Sequence, residues 1–425
     1  MHDILIKNGH IIAPGEGIDQ IGDIFLSDGR IKQLGQNLPA TNAEVIDATE
    51  QIVSPGFIDL HCHLRQPGFE AKETIQSGTK AAAKGGFTTV CCMPNTSPPL
   101  DNAPLITYVN TIAANEACVR VLPIGCITRA RNGEELSDMV SMAQAGAVAF
   151  TDDGNYVRNP NILRRAMQYS LPLGLPIIEH CEDADLCDGG QVNEGIIATT
   201  QGLCGNSSVA EEIAVARDII LAEHTGARLH IAHVSTRGAV EQIRQGKKRG
   251  VKLSAEVTPH HLTLSEEALL GYNTQAKVSP PLRTPADIEA LIDGLNDGTI
   301  DVIATDHAPH RIIDKQCEFA NAACGISGLE TALGSLLKIV HNGKLSLTTL
   351  LAKLTCAPAS ILRMKIGSLQ VNAPADLTIF SPHKEWIVDS SNFVSHGHNT
   401  PLEGETLHGQ VSTTIYSGKV VYRNT

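Results

Sequence analysis

The chain has 425 residues, with 33 basic against 46 acidic side chains and a net charge of −13. That length suits one large α/β barrel or two to three ordinary domains, and the acidic balance argues against nucleic acid or an anionic membrane surface as partner. The hydrophobic fraction of 42% is ordinary for a globular chain, and no apolar run approaches the roughly 18 residues that a membrane helix needs. The opening MHDILIKNGHIIAPGEG has no basic segment followed by an apolar one, so a secretory signal is not expected and the reading is cytoplasmic. Eleven scattered cysteines without a CxxC pair fit neither a zinc ribbon nor a thioredoxin-like motif. In a reducing compartment they are expected to be small buried hydrophobes.

Residues 1–54 are rich in β-branched residues and turns, with an Asp28-Gly29 hairpin signal, and read as short antiparallel strands. The middle, 55–362, alternates apolar strands with amphipathic helical segments. In order the strands are GFIDLH, FTTVCCM, CVRVLPIG, AVAFTDD, PIIEH, RLHIAHV, KLSAEVTP and DVIATD, with helices such as ETIQSGTKAAAKG and RGAVEQIRQGKKRG between them. Eight strands in that alternation predict a (β/α)8 barrel. Residues 363–425 resemble the first segment, with a Ser417-Gly418 turn. The two ends are therefore expected to pair into one small β-sandwich domain.

Polar residues gather at the C-terminal tips of the predicted strands: His61 and His63, Asp152 and Asp153, His180, His233, His260 and His261, then Asp306 and His307. In a barrel all those tips meet on the face where active sites sit. His61 and His63 lie two apart on a strand, so both imidazoles point one way. Imidazole and carboxylate are ligands for zinc or a similar divalent ion. Four imidazoles with Asp153 and Asp306 exceed one tetrahedral zinc, so the count predicts two ions, which need a bridging group. The chain has no lysine between Lys84 and Lys247, so a carbamylated lysine cannot be that bridge and Asp153 is the candidate. His260 and His261 are expected as structural histidines, and Asp152 and His307 as supports for their neighbours.

Phe57-Ile58-Asp59-Leu60-His61-Cys62-His63-Leu64-Arg65 with Pro67-Gly68 resembles the metal signature of the dihydroorotase branch of the amidohydrolase superfamily. Met93-Pro94-Asn95-Thr96, Phe150-Thr151-Asp152-Asp153-Gly154, Glu179-His180, Ile231-Ala232-His233-Val234-Ser235 and Thr305-Asp306-His307-Ala308-Pro309-His310 follow the same pattern in order. The resemblance runs nearly end to end and is closest to the class I dihydroorotases. It implies that His61, His63 and Asp306 bind one zinc and His180 and His233 a second, with Asp153 bridging. Asp306 would also shuttle protons. Arg65, Asn95 and His310 would hold the substrate, with Ser279 and the backbone at Cys324-Gly325 nearby. Arg65 suits a carboxylate, because its fork can engage both oxygens.

Gln66, Ser279 and Cys324 depart from the residues usual at those places, and none is a ligand in this scheme. The implied activity is reversible hydrolysis of the cyclic amide of dihydroorotate to N-carbamoyl-aspartate, in pyrimidine biosynthesis. Two alternatives stand beside it. One is another cyclic amidase, of hydantoinase or allantoinase type. The other is a non-catalytic partner of aspartate carbamoyltransferase, which would have lost ligands that are all present here. The resemblance also implies a homodimer or docking on that transferase.

Overall fold

The computed structural model describes residues 3–40 and 42–424, and both ends of the chain enter one sheet. Five strands from the first segment (Ile4–Ala13, Ile18–Ser27, Arg30–Gly35, Glu44–Asp47, Ile52–Pro55) join three from the last (Leu377–Ile387, Thr406–Tyr416, Lys419–Arg423). The join is antiparallel, with Leu377 to Phe380 running against Ile52–Pro55. Both expected hairpins form. Asp28, Gly29, Ser417 and Gly418 all have positive φ (52°, 71°, 49° and 74°), as a tight turn between right-twisted strands demands. The all-antiparallel expectation is corrected: Ile4–Ala13 pairs parallel with both Glu44–Asp47 and Ile52–Pro55. Parallel neighbours need a crossover, and the intervening Ile18–Gly35 hairpin with its return supplies one.

Between the ends lie two larger parallel sheets and a two-stranded one, Val192–Asn193 with Gly205–Asn206. One of the larger two holds Phe57–Cys62, Phe87–Cys92 and Arg120–Pro123; the other holds Ile177–Glu179, Leu229–Ile231, Leu253–Val257 and Val302–Ile303. Phe57–Cys62 and Phe87–Cys92 are buried at every position, as strands covered on both faces must be. Isolated bridges link the sheet edges. Phe150 bridges Gly125 on one side and Ile177 on the other, and Cys62 bridges His307. Ile58, Leu60, Cys91, Ile124, Ile178, Ala232 and Val302, drawn from both sheets, share one apolar cluster. The expected fourth strand, AVAFTDD, is thus reduced to a bridge at Phe150. Backbone bonds still tie it to both neighbours, Thr151 N to the Gly125 carbonyl (2.9 Å) and Ile178 N to the Phe150 carbonyl (2.9 Å), and beyond it the Asp152 carboxylate accepts from the amides of Ile127 and Thr128 at 2.9 and 3.0 Å.

Helices Ile75–Lys84, Ser208–Thr225 and Arg237–Lys248 form where the amphipathic segments predict them. Thr74 and Thr236 cap two of these, satisfying amides that the first turn leaves open. Among the described residues no helix is long and apolar enough to cross a membrane. All eleven cysteines are free, and Cys62, Cys91, Cys92, Cys126 and Cys181 are buried as expected. Cys204, Cys317 and Cys324 are exposed instead. They sit on connecting segments, which run over the surface.

Candidate metal centre

The six predicted ligands converge at the carboxyl ends of the parallel strands. A register shift between Asp59 and Cys62 accompanies this. Leu60 packs in the inner cluster while Cys62 faces the helices, so a bulge re-aims the strand end that carries His61 and His63. Two ligand groups result, His61/His63/Asp306 and His61/Asp153/His233, each with its donor atoms within 4.8 Å of one another. His180 adjoins them, its Nδ1 2.9 Å from His233 Nε2 and 3.9 Å from Asp153 Oδ1. The two Asp153 oxygens face different imidazoles: Oδ1 lies 3.4 Å from His61 Nε2 and 3.7 Å from His233 Nε2, and Oδ2 lies 3.7 Å from His63 Nε2.

Three of the four imidazoles are held from behind by an acceptor, while the buried His233 Nδ1 has no hydrogen-bond partner. His61 Nδ1 donates to Glu256 (2.6 Å), His63 Nδ1 to the Asn95 side-chain carbonyl (2.8 Å) and His180 Nε2 to Glu182 (2.9 Å). Those bonds fix the proton on the outer nitrogen and leave the inner lone pair aimed into the cluster. The buried His61 Nε2 has no hydrogen-bond partner, although it faces Asp153 and Asp306 at 3.4 Å each. A buried acceptor in that condition is costly unless a cation fills the point it faces. The donor set and this orphaned nitrogen both fit a divalent metal.

Burial alone would raise the Asp153 and Asp306 carboxyls. Together the neighbouring imidazoles, His61 and His233 at Asp153 and His61 and His63 at Asp306, outweigh it and hold both below the usual carboxylate range. Burial would likewise raise Glu256 and Glu182, but their histidine partners bring each to about 2. Arg65, His233 and Asp306 carry positive φ (59°, 31° and 44°) without being glycine. Strain of this kind persists where the surroundings over-determine a residue, as at functional sites.

A cavity of about 230 Å³ opens above the cluster and is lined by every predicted site residue except His61, which lies buried beneath. Arg65 borders it half-buried, its Nε donating to the Pro309 carbonyl (3.3 Å). Its Nη2 lies 3.3 Å from His310 Nε2, and among the described residues no carboxylate lies within 4 Å of its guanidinium, so the charge has no anionic partner in the chain. His310 Nε2 donates to the Cys324 carbonyl (2.9 Å), and burial with Arg65 and Lys72 alongside pushes its pKa down to about 2, so the ring is neutral. Gly325 is required where it stands: its φ is +138°, and a Cβ there would meet Ala308 Cβ at 2.6 Å.

Two predicted substrate contacts also have a supporting part. The Asn95 carbonyl orients His63, and the Ser279 hydroxyl donates to Glu182 (2.7 Å), which holds His180. His260 and His261 are drawn into a short helix, Pro259–Thr263, where His261 bonds Thr258 and the Pro280 carbonyl. Asp152 and His307 are supports as expected, His307 through Glu73 at 3.2 Å. Sequence reading missed Glu256 and Glu182. A carboxylate on a strand buried on both faces was the available signal for Glu256, since it survives there only with partners.

The fold and the site define an α/β protein with a buried His/Asp metal-binding centre at the carboxyl ends of its parallel strands. Residues 50–239 match the family model described as dihydro-orotase-like. The chain is 50% identical over 422 residues to a dihydroorotase of Pelotomaculum thermopropionicum, covering 99% of each chain. It is 50% identical over 420 residues to one of Syntrophotalea carbinolica, with the same coverage. Among solved structures, L-hydantoinase from Arthrobacter aurescens superposes with a TM-score of 0.90 at 26% identity, over 100% of this chain and 96% of that one. Dihydropyrimidinase from Brevibacillus agri gives 0.87 at 25%, over 99% and 95%. The chain belongs to the dihydroorotase family.

Proposed function

We propose that this chain is a zinc-dependent dihydroorotase that interconverts dihydroorotate and N-carbamoyl-aspartate. The observation that carries the reading is one cavity with a buried two-carboxylate, four-imidazole cluster as its floor and an unpaired arginine on its wall. His61, His63 and Asp306 would hold one zinc and His180 and His233 a second, with Asp153 between them. Bound there, zinc supplies Lewis acidity toward the ring carbonyl and lowers the pKa of water to about 7. The chain does the rest. Arg65 takes the substrate carboxylate bidentately and fixes the ring over the floor. Asp306, held deprotonated by His61 and His63, accepts the proton of the attacking water and returns it to the ring nitrogen as the C–N bond breaks. Neutral His310 lines the wall without adding a second positive charge.

The two linked parallel sheets are read as one (β/α)8 barrel over 55–362, and the terminal sheet as a composite β-sandwich of 1–54 and 363–425. The shared inner cluster and the bridges at Phe150 and Cys62 support this. We extend the reading to a cytoplasmic homodimer, or a complex with aspartate carbamoyltransferase. Size-exclusion chromatography with and without the transferase tests it.

Hydrolysis of dihydroorotate, lost on chelation and restored by zinc, is the direct test. The likeness to hydantoinases supports a second reading as a hydantoin-cleaving amidase. A hydantoin rate exceeding the dihydroorotate rate would favour it. Arg65→Met is expected to lower kcat/KM for dihydroorotate by about 1.5–3 kcal/mol, because a charge-assisted bond to the carboxylate is lost. Zinc per chain should not change, since Arg65 is not a ligand. Unchanged kinetics would place the carboxylate elsewhere.

A further inference from the structure

The segment between strands Leu377–Ile387 and Thr406–Tyr416 leaves the terminal sheet and lies across the rim of the metal centre. Gly397 runs so close to that rim that a Cβ there would meet Pro309 Cβ at 2.4 Å and Ser327 Oγ at 2.6 Å. Ser395 Oγ donates to Glu73, whose carboxylate also holds His307. Asn399 follows, only 4% exposed. Its side-chain oxygen accepts from the His310 amide (2.9 Å) and the Ser327 hydroxyl (2.8 Å). Its side-chain nitrogen donates to the carbonyls of Ala308 (3.0 Å) and Gly325 (2.9 Å). A carboxamide offers two donors and two acceptor sites, and all four are used.

The partners of Asn399 belong to two different loops. Ala308 and His310 flank Pro309 in the loop after the last parallel strand, while Gly325 and Ser327 lie in the following loop. Those loops bring His310 and the Cys324–Gly325 backbone to the cavity, where His310 Nε2 meets the Cys324 carbonyl. Asn399 bonds both loops at once and touches neither the ligand cluster nor the cavity above it. We infer that Asn399 is a positioning residue, set by the C-terminal segment, that fixes His310 and the Cys324–Gly325 turn in substrate-binding register. The inference rests on the dihydroorotase reading for its substrate.

The chemistry of the four bonds selects asparagine. In Asn399→Asp a carboxylate oxygen would face the Ala308 and Gly325 carbonyls in place of a donor. In Asn399→Ala four buried groups lose their partner. Either variant is expected to raise KM for dihydroorotate about tenfold or more, with kcat within about threefold and zinc per chain unchanged. Combined with His310→Ala, Asn399→Ala should add little to the loss that His310→Ala causes alone, since residues acting as a unit are not additive. A general structural role would give additive losses and would leave KM unmoved in the folded fraction.

A second readout does not depend on the substrate. The ring signals of His310, identified by their loss in His310→Ala, should shift in the histidine NMR spectrum of the zinc-loaded Asn399→Ala protein, with those of His61 and His180 in place. Should the Asn399 variants not fold, Ser327→Ala removes one donor and is expected to raise KM about threefold. Unmoved His310 signals, or an unchanged KM in these variants, would overturn the inference. An unmutated protein that fails to turn over dihydroorotate while the His310 signals still shift would sink the substrate reading and leave the positioning role standing.

Discussion

Asp306→Ala is expected to lower kcat by at least the 10²–10⁴ that general acid–base catalysis supplies. The carboxylate stands 2.9 Å from His63 Nε2 and 3.4 Å from His61 Nε2, and borders the cavity where the substrate would sit. Those imidazoles hold it below the usual carboxylate range, so it is ionised at neutral pH. Asp306→Asn separates its two parts, because the amide keeps an oxygen for a metal and cannot take the proton. Alanine should therefore reduce both zinc content and rate, and asparagine chiefly the rate. Near-normal turnover in either folded variant would remove Asp306 from the mechanism. The check is kcat beside zinc per chain for both proteins.

Asp153→Ala should empty both proposed metal positions together, because its two oxygens face imidazoles of both ligand groups. His233→Ala should mainly empty the second position, since His61, His63 and Asp306 form a complete group without it. A carbamylated lysine forms from dissolved CO₂, and none is available between Lys84 and Lys247. Zinc-free protein is therefore expected to regain full activity in degassed, bicarbonate-free buffer. The measurements are zinc per chain after dialysis and activity with and without bicarbonate. Two zincs retained in Asp153→Ala, or a strong bicarbonate requirement in the unmutated protein, would break the carboxylate bridge. One tightly bound zinc in the active, unmutated protein would make the second ion dispensable.

The sequence by itself determined the βα alternation, the hairpins at Asp28-Gly29 and Ser417-Gly418, the joining of both ends in one sheet, and the identity of the six converging side chains. Apart from the joining of the ends, which follows from the likeness of the two β-rich segments, these are local or periodic features: strand burial, turn conformation and a polar residue at the end of each apolar run are all set within a few residues. Tertiary structure alone decided what those six side chains can do. Glu256, Glu182 and Asn95 hold His61, His180 and His63 from 195, 2 and 32 residues away along the chain, which fixes each tautomer. Glu182 lay within reach of local reading, and Glu256 only through its place on a buried strand, without its partner. Asn399 binds its loops across 72 to 91 residues, through an amide that no motif distinguishes from a turn residue. The parallel pairing of Ile4–Ala13 and the shortening of the fourth strand to bridges at Phe150 are decided in the same way. A ligand's residue type can be read from the chain, but the direction of its lone pair depends on a partner that only folding brings within about 3 Å.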